Sequence, residues 1–353
     1  MNGLALKDIK NIKDIYVLGI ESSCDETGAA IVRNGTDVVA SVVASQIEFH
    51  QKFGGVVPEI ASRKHLEMLN PVLDDVLEKA QLTYEDLDAV AVTIGPGLVG
   101  ALLMGLGAAK VISYVKGLPL VGVNHIEGHI YANLIDHPDL KPPLISLVVS
   151  GGHTMLVYME DFGIYEPLGQ TLDDAVGEAY DKVASFLGLG YPGGPIIDEM
   201  AKKGDPTAIQ FPRAMLKKGE LNFSLSGLKT AVLNYVSHLN LDAHELPLHD
   251  LTASFQAAVV DVLVVKTIRA AREKGVDKIV LAGGVAANSY LRERMIAETK
   301  REGLLLYYPH IFLCTDNAIM IAVAGYYRYL AGDRITLEAN PIPNLRLGQK
   351  IEA

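Results

Sequence analysis

PLISLVVSGGHTMLVYME, residues 143–160, reads as an apolar strand, a tight turn marked by Gly151 and Gly152, and a second apolar strand. The same order stands near the start of the chain. There IYVLGIE (15–21) is a short apolar run, SSCDETG a polar turn, and AAIVRNG a return strand closed by the turn signal Asn34-Gly35. Two glycine-marked hairpins of one kind imply an internal duplication.

A second pair of segments extends the repeat. LDAVAVTIGPGLVGALLMGLGAAKVI (87–112) has the order strand, glycine loop, helix, and so does VDKIVLAGGVAANSYLRERMI (276–296). Each returns to a short apolar strand, LPLVGVN at 118–124 and LLLYYPH at 304–310. The first return strand leads into HIEGH and the second into IFLCTDNAIM, so the two segments occupy equivalent places facing one cleft. The expected architecture is a two-lobed α/β protein with its site between the lobes. Its boundaries are read as an N-terminal α/β lobe over 1–124, a C-terminal α/β lobe over 125–340 with a mostly helical insertion at about 165–250, and a tail over 341–353.

Composition narrows the class. Of 353 residues 49% are hydrophobic and 21% charged, enough apolar side chain for a large core and too little charge for wholesale disorder. The formal net charge is −11, so a role with nucleic acid needs a local basic patch or a basic partner. The two cysteines, Cys24 and Cys314, form neither a disulfide framework nor a CxxC zinc pattern. The first twenty residues lack a signal-peptide layout, and the apolar run LVGALLMGLGAAK stops at Lys110, short of a bilayer span. A soluble cytoplasmic protein without membrane association is expected.

NHIEGHIYAN (124–133) is the sharpest chemical signal. On a helix begun by Asn124 as N-cap, with Glu127 as its capping-box partner, His125 and His129 lie one turn apart on one face. Such a pair either packs as ordinary helix histidines or holds a metal. Asp316 of CTDN, placed by the repeat, would complete a two-histidine, one-carboxylate set suited to zinc or iron(II). A zinc-protease reading fails on spacing. Its signature sets glutamate directly after the first histidine, where this chain has Ile126. Asp25 and Glu26 are either ordinary turn residues or carboxylates acting as base or indirect metal ligand. The Gly151-Gly152 pair offers backbone N–H groups to a phosphate or carboxylate. Lys202, Lys203, Arg213, Lys217 and Lys218 form the densest basic cluster, read as solvated surface or as a nucleic-acid contact.

Taken together, GIESSCDETG, GGVVPEIASRKH, GPGLVGALL, HIEGH, VSGGHT, GEAYDKVA, YPGGP, FSLSGLKTA, AGGVAANSYLR and CTDNA resemble the bacterial TsaD family of tRNA threonylcarbamoyladenosine transferases, in order and over about residues 15–330. The resemblance implies the actin-like, sugar-kinase-like ATPase superfold of two duplicated lobes. It implies transfer of a threonylcarbamoyl group from threonylcarbamoyl-AMP to the adenosine beside the anticodon of tRNA. It places one divalent metal, iron(II) or zinc, on His125, His129 and Asp316. The acyl-adenylate would lie along Val148, Val149, Ser150, Gly151 and Gly152, and the adenosine against Asp181, Gly194, Asp198 and Asn288. Asp25 and Glu26 would be required for activity. A paralogous partner protein and a small ATPase would act with the chain. A sugar-kinase-like ATPase and a non-catalytic partner scaffold are the competing readings. The histidine pair with CTDN argues against both, because such kinases hold magnesium on carboxylates and waters.

Overall fold

A computed structural model describes residues 13–217, 219–239 and 245–351 of the chain. Residues 1–12 of the expected first lobe, the last two residues of the expected tail, and Lys218 lie outside the described residues. Two five-stranded sheets carry the fold. The first holds β1 (Tyr16–Glu21), β2 (Glu26–Arg33), β3 (Asp37–Ser45), β4 (Ala89–Gly95) and β5 (Leu120–Asn124), in the order β3-β2-β1-β4-β5. The second holds β6 (Leu144–Val149), β7 (Thr154–Asp161), β8 (Ile164–Gln170), β9 (Lys278–Ala282) and β10 (Leu305–Tyr307), in the order β8-β7-β6-β9-β10. In both, three antiparallel strands are followed by two added in parallel. The duplication read from the hairpins is therefore a repeat of topology. Asn34 and Gly35 take φ of 54° and 78°, the left-handed values that a tight hairpin turn of this kind needs.

The helices follow in chain order: α1 (Ile47–Gln51), α2 (Pro58–Ala80), α3 (Val99–Lys116), α4 (His125–Tyr131), α5 (Asn133–Asp136), α6 (Val176–Phe186), α7 (Gly193–Ala201), α8 (Ser226–Leu239), α9 (Leu248–Lys274), α10 (Ser289–Glu302), α11 (Ile311–Cys314) and α12 (Ala318–Ala331). Strand alternation sorts the first sheet's side chains into two layers. Leu18, Ile20, Val90 and Val92 face α2 and α3, where Leu69, Val76 and Leu106 meet them. Val17, Ala91 and Val123 face the middle of the molecule, where α4 and α12 bury Ile126, Met320 and Val323. On the far side of the second sheet, Ile145, Leu147 and Leu281 pack with Tyr180, Phe255 and Leu291 of α6, α9 and α10. Each such side chain contributes roughly 1.5–3 kcal/mol by leaving water.

α12 lies in the stretch expected to belong to the second lobe, yet it packs on β1, β2 and β4 of the first sheet. Small residues make that approach possible: a Cβ on Gly19 would lie 2.5 Å from the Ala318 carbonyl oxygen, and one on Gly325 would lie 2.2 Å from Ala91 Cβ. The chain then runs along the same sheet, with Ile335 N–H on Leu120 O at 2.9 Å and Ile342 N–H on Ile94 O at 2.8 Å. The stretch expected as an insertion holds α6, α7 and α8, but its first residues form β8, the edge strand of the second sheet. α3 continues past Lys110 to Lys116, so it and α9 are both long and apolar enough to cross a membrane. Both are instead packed elements of this fold. In the most apolar window of α9, 89% of the residues are buried; in α3 the share is 33%, with its inner side packed on β4 and α2.

Candidate metal centre and acidic turn

The end of β5 runs straight into α4. Asn124 caps the helix, its Oδ1 accepting from Ile126 N–H at 2.9 Å and from Glu127 N–H at 3.4 Å. The reciprocal half of the expected capping box is absent. Glu127 turns away into the core, where it accepts from the Tyr165 hydroxyl at 2.8 Å and pairs with Arg328 Nε at 2.5 Å. A half-buried guanidinium is a stronger partner for a carboxylate than a backbone N–H, and it wins the side chain. His125 and His129 project from the opposite side of α4.

Asp316 meets them from the turn before α12, whose N-cap is Asn317, accepting from Met320 N–H at 3.0 Å. α4 and α12 approach closely because residue 128 is glycine: a Cβ there would lie 2.9 Å from Ile321 Cδ1. Asp316 Oδ1 is 3.5 Å from His125 Nε2 and 3.2 Å from His129 Nε2. The three donor atoms lie within 4.8 Å of one another and could hold a metal ion. His129 supplies the test of fit. It is 1% exposed, and neither ring nitrogen makes a hydrogen bond among the described residues, its approach to Asp316 being off line for one. A buried imidazole left so is costly unless a ligand takes the lone pair. Asp316 is 22% exposed, which leaves one side of the cluster open to the cleft.

Glu21, at the end of β1, was not singled out from the sequence. It is fully buried and its Oε2 accepts from His125 Nδ1 at 3.1 Å and from Thr93 Oγ1 at 2.7 Å, while its Oε1 takes Ser23 N–H at 2.5 Å. This carboxylate turns the Nε2 of His125 toward Asp316. Burial pushes the Glu21 carboxyl up, but the facing His125 outweighs it and the carboxyl ends below its ordinary value. Burial likewise pushes His125 down, and Asp316 and Glu21 together carry it well above the ordinary imidazole value. The sequence signal was there: an acid closing an otherwise apolar strand.

The acidic turn, residues 22–25, lies beside this cluster, with Ser23 Oγ 3.1 Å from His125 Nδ1. α3 anchors it, through Ser22 Oγ to Ala101 O at 2.9 Å and Leu98 N–H to Ser23 O at 2.8 Å. Asp25 is 8% exposed, and Glu26 opens β2 against Ser45 Oγ at 3.3 Å. Burial, the neighbouring Asp25 and the charge of Asp316 hold the Glu26 carboxyl well above its ordinary value. The same causes push the Cys24 thiol up, which keeps it out of thiolate chemistry.

A second unforeseen residue fixes the turn from both sides. His65 of α2 is fully buried, with Nε2 3.0 Å from the Cys24 carbonyl and Nδ1 2.8 Å from Thr27 Oγ1. It fastens the residue before Asp25 to the residue after Glu26. Burial lowers its pKa, so the neutral ring donates to Cys24 O and accepts from the Thr27 hydroxyl.

The opposite wall comes from the second sheet. Val148 and Val149 end β6, and Ser150 closes the loop to β7 with its N–H on His153 O at 2.8 Å and its Oγ accepting from His153 N–H at 3.1 Å. Gly151 and Gly152 are exposed. The His153 ring stands 6.4 Å from His125, and burial and the two facing histidines push it down to about 4. The N-terminus of α6 and the Gly283-Gly284 turn close on this loop, and the N-terminus of α7 packs against α6. A Cβ on Gly177 would lie 2.8 Å from Gly151 Cα, and one on Gly283 would lie 2.4 Å from Val149 O. Asp181 accepts from Gly193 N–H at 2.7 Å, beside Gly194, and burial raises its carboxyl. Asp198 spends both oxygens on Ser289, at 2.9 and 3.1 Å. Asn288 caps α10 at Leu291 N–H, 2.8 Å, and gives its amide to Gln256 at 2.8 Å. Asp25 from one sheet and Asp181 from the other both act on the phenol of Tyr191, whose pKa burial raises first.

The basic cluster does not gather at this cleft. Lys202 pairs with Glu199 at the far end of α7, and Arg213 is held by Asp261 at 3.0 Å and Phe211 O at 2.7 Å. Lys203 and Lys217 are exposed. Asp173 accepts from Leu225 N–H at 2.8 Å and from the hydroxyls of Ser224 and Ser226, just ahead of and at the start of α8.

Solved structures share the architecture. HypF from T. kodakarensis superposes on 90% of this chain and 48% of its own with a TM-score of 0.61 at 16% identity. Component A of the (R)-2-hydroxyglutaryl-CoA dehydratase of Acidaminococcus fermentans covers 90% of this chain and 99% of its own with a TM-score of 0.53 at 17% identity. These likenesses establish the fold class, the actin-like ATPase superfold of two repeated α/β lobes. The finer assignment comes from sequence relatives. A family model described as TsaD, tRNA N6-adenosine threonylcarbamoyltransferase, matches residues 37–323. Proteins of that name from Clostridium botulinum strain 657 and Clostridium kluyveri are 56% and 54% identical over 96% of this chain and 99% of their own length. The chain belongs to the TsaD family.

Proposed function

We propose that this chain, in the cytoplasm, moves the threonylcarbamoyl group of threonylcarbamoyl-AMP to the N6 amine of the adenosine adjacent to the anticodon in tRNAs reading codons that begin with A. The product is N6-threonylcarbamoyladenosine. One observation carries the reading: in a chain of this family, an open cluster of two histidines and a carboxylate shares a cleft with a buried pair of acids. His125, His129 and Asp316 would hold one divalent ion, iron(II) or zinc by the donor set. When bound, the ion supplies Lewis acidity toward an oxygen of the threonylcarbamoyl group.

The residues of the chain account for the rest. The acyl-adenylate lies along Val148, Val149, Ser150, Gly151 and Gly152, where the exposed glycines admit close approach of its phosphate. Asp181 and Gly194 border the adenosine, and Asp198 and Asn288 brace that wall through Ser289 and Gln256. The N6 amine attacks the carbamoyl carbon, a C–N bond forms, and the C–O bond to AMP breaks. The proton leaving the amine passes to the acid pair of Asp25 and Glu26. AMP departs without needing a proton because it is a good leaving group. A paralogous partner and a small ATPase act with the chain, and tRNA is the acceptor substrate. The test is formation of N6-threonylcarbamoyladenosine from purified chain, partners, tRNA, threonine, bicarbonate and ATP, read by nucleoside mass spectrometry. Unmodified tRNA under those conditions would refute the reading.

Two residues that only hold others in place give sharper expectations. Glu21→Gln removes the carboxylate that orients His125 and should weaken the divalent ion about 10–100-fold in chelator competition. Unaltered affinity would show that His125 is oriented by other contacts. His65→Ala frees the turn on both sides and should lower kcat about 10²-fold, as misplacement by about 1 Å does. His65→Gln keeps a donor for Cys24 O and should recover much of that loss. Equal rates for the two variants would remove His65 from the positioning of Asp25 and Glu26.

A further inference from the structure

Apart from His65, GGVVPEIASRKH and the helix before it take no part in the chemistry above, yet they stand at the mouth of the cleft. Gln46, immediately ahead of α1, donates its N–H to Asp25 O at 3.0 Å. At the other end of α1, Gln51 Nε2 donates to Tyr191 O at 3.2 Å. α1 thus reaches from the acidic turn of one sheet to the YPGGP loop of the other. It is firmly seated, because His50 beneath it is fully buried, with Nε2 3.3 Å from Gln46 Oε1 and Nδ1 accepting from Val57 N–H at 3.3 Å.

The outer side of this bridge is aromatic. Phe49 is 40% exposed and Phe53, four residues on, is 61% exposed. Phe53 stands in the turn just beyond α1, which its N–H closes on His50 O at 2.9 Å, so both rings belong to one short exposed segment. Lys64 Nζ stands 4.3 Å from the Phe49 ring centre, and Lys52 and Arg63 are exposed beside it. Across residues 46–67 the cations Lys52, Arg63 and Lys64 balance Glu48, Glu59 and Glu67, so this mouth is neutral in a chain of net charge −11. Two exposed rings on one seated segment, flanked by cations and continuous with Asp25 and Tyr191, match what single-stranded RNA needs: faces for stacking and charges for phosphate.

The reaction makes that demand. An adenosine in a loop must leave its stack for its N6 to enter the cleft, and its neighbours then lose a stacking partner. We propose that Phe49 and Phe53 form a stacking platform for the nucleotides flanking the target adenosine of the anticodon loop, with Lys52 and Arg63 on the adjoining phosphates. The inference rests on the tRNA reading above and adds to it where the loop docks.

Binding of an anticodon stem-loop RNA to the full chain with its partners tests it. Phe53→Ala and Phe49→Ala should each weaken binding about tenfold with an unchanged salt slope. Phe53→Tyr keeps the ring and should bind like the parent, whereas Phe53→Leu should resemble the alanine variant. Lys52→Ala should lower the salt slope by about one. Metal content should stay at the parental level throughout. Parental affinity in both phenylalanine variants overturns the platform while leaving the tRNA reading intact. Loss of partner association with stem-loop affinity retained makes the patch a protein surface and also overturns it. If the parent itself does not bind the stem-loop, the tRNA reading falls and the platform with it.

Discussion

His129→Ala should leave the purified protein with close to no bound transition metal where the parent holds about one per chain, and should slow transfer about 10³-fold. The ring removed is the one whose two nitrogens make no hydrogen bond among the described residues, with Nε2 standing 3.2 Å from Asp316, so its place is explained by what it would ligate. The loss in rate corresponds to the several kcal/mol that Lewis-acid stabilisation supplies. Alanine leaves a buried space but breaks no hydrogen bond made among the described residues, so the variant should fold with a lower melting temperature. Proton competition gives a second readout. Because Asp316 and Glu21 hold the His125 imidazole well above its ordinary value in the metal-free protein, a proton must leave as the ion binds. Apparent affinity should therefore rise about tenfold per pH unit through the neutral range and level off at alkaline pH. Equal metal content in His129→Ala and parent, measured by elemental analysis, would falsify the ligand assignment.

The cluster was legible in the sequence because most of it is local. His125 and His129 need only one helical turn and the Asn124 cap, and both are written in six consecutive residues. Asp316 became legible through the repeat of hairpin and strand–loop–helix, which the matching strand orders of the two sheets bear out. What stayed hidden depends on long-range partners. Glu21 and His125 are 104 residues apart, so only the oddity of a buried acid at the end of β1 pointed to it. Glu127 obeyed a local capping rule on paper and was taken by Arg328, 201 residues away. α12 is apolar around most of its surface, and such a pattern says that a helix is buried without saying against which sheet. The close approaches at Gly19 and Gly325 decide it, and those depend on coordinates. His65 sat inside a quoted motif, but a lone histidine on an amphipathic helix gives no sign that it grips a turn 41 residues earlier.

Asp25→Ala should reduce single-turnover transfer about 10²–10⁴-fold, the loss expected for a proton acceptor, while changing stability by only about 1 kcal/mol. Glu26→Gln should also impair transfer, and its stability should move in the opposite sense to that of an ordinary surface substitution. The Glu26 carboxyl is raised in the fold by burial, by Asp25 and by Asp316. A group raised in this way contributes stability that is fully present below its unfolded value near 4.5 and is lost as pH rises through the folded value. Above that folded value the parent has lost the contribution and places charge beside Asp25, whereas glutamine carries none. The melting-temperature difference between Glu26→Gln and the parent should therefore grow in the variant's favour from pH 5 to pH 8, each unit of elevation corresponding to about 1.4 kcal/mol. A protein that grows more stable as it loses activity is holding two acids together against their repulsion for the sake of the reaction. Melting curves at the two pH values, beside rapid-quench transfer, separate the cases. If both variants transfer at the parental rate, the turn is structural and the amine proton must leave by another route.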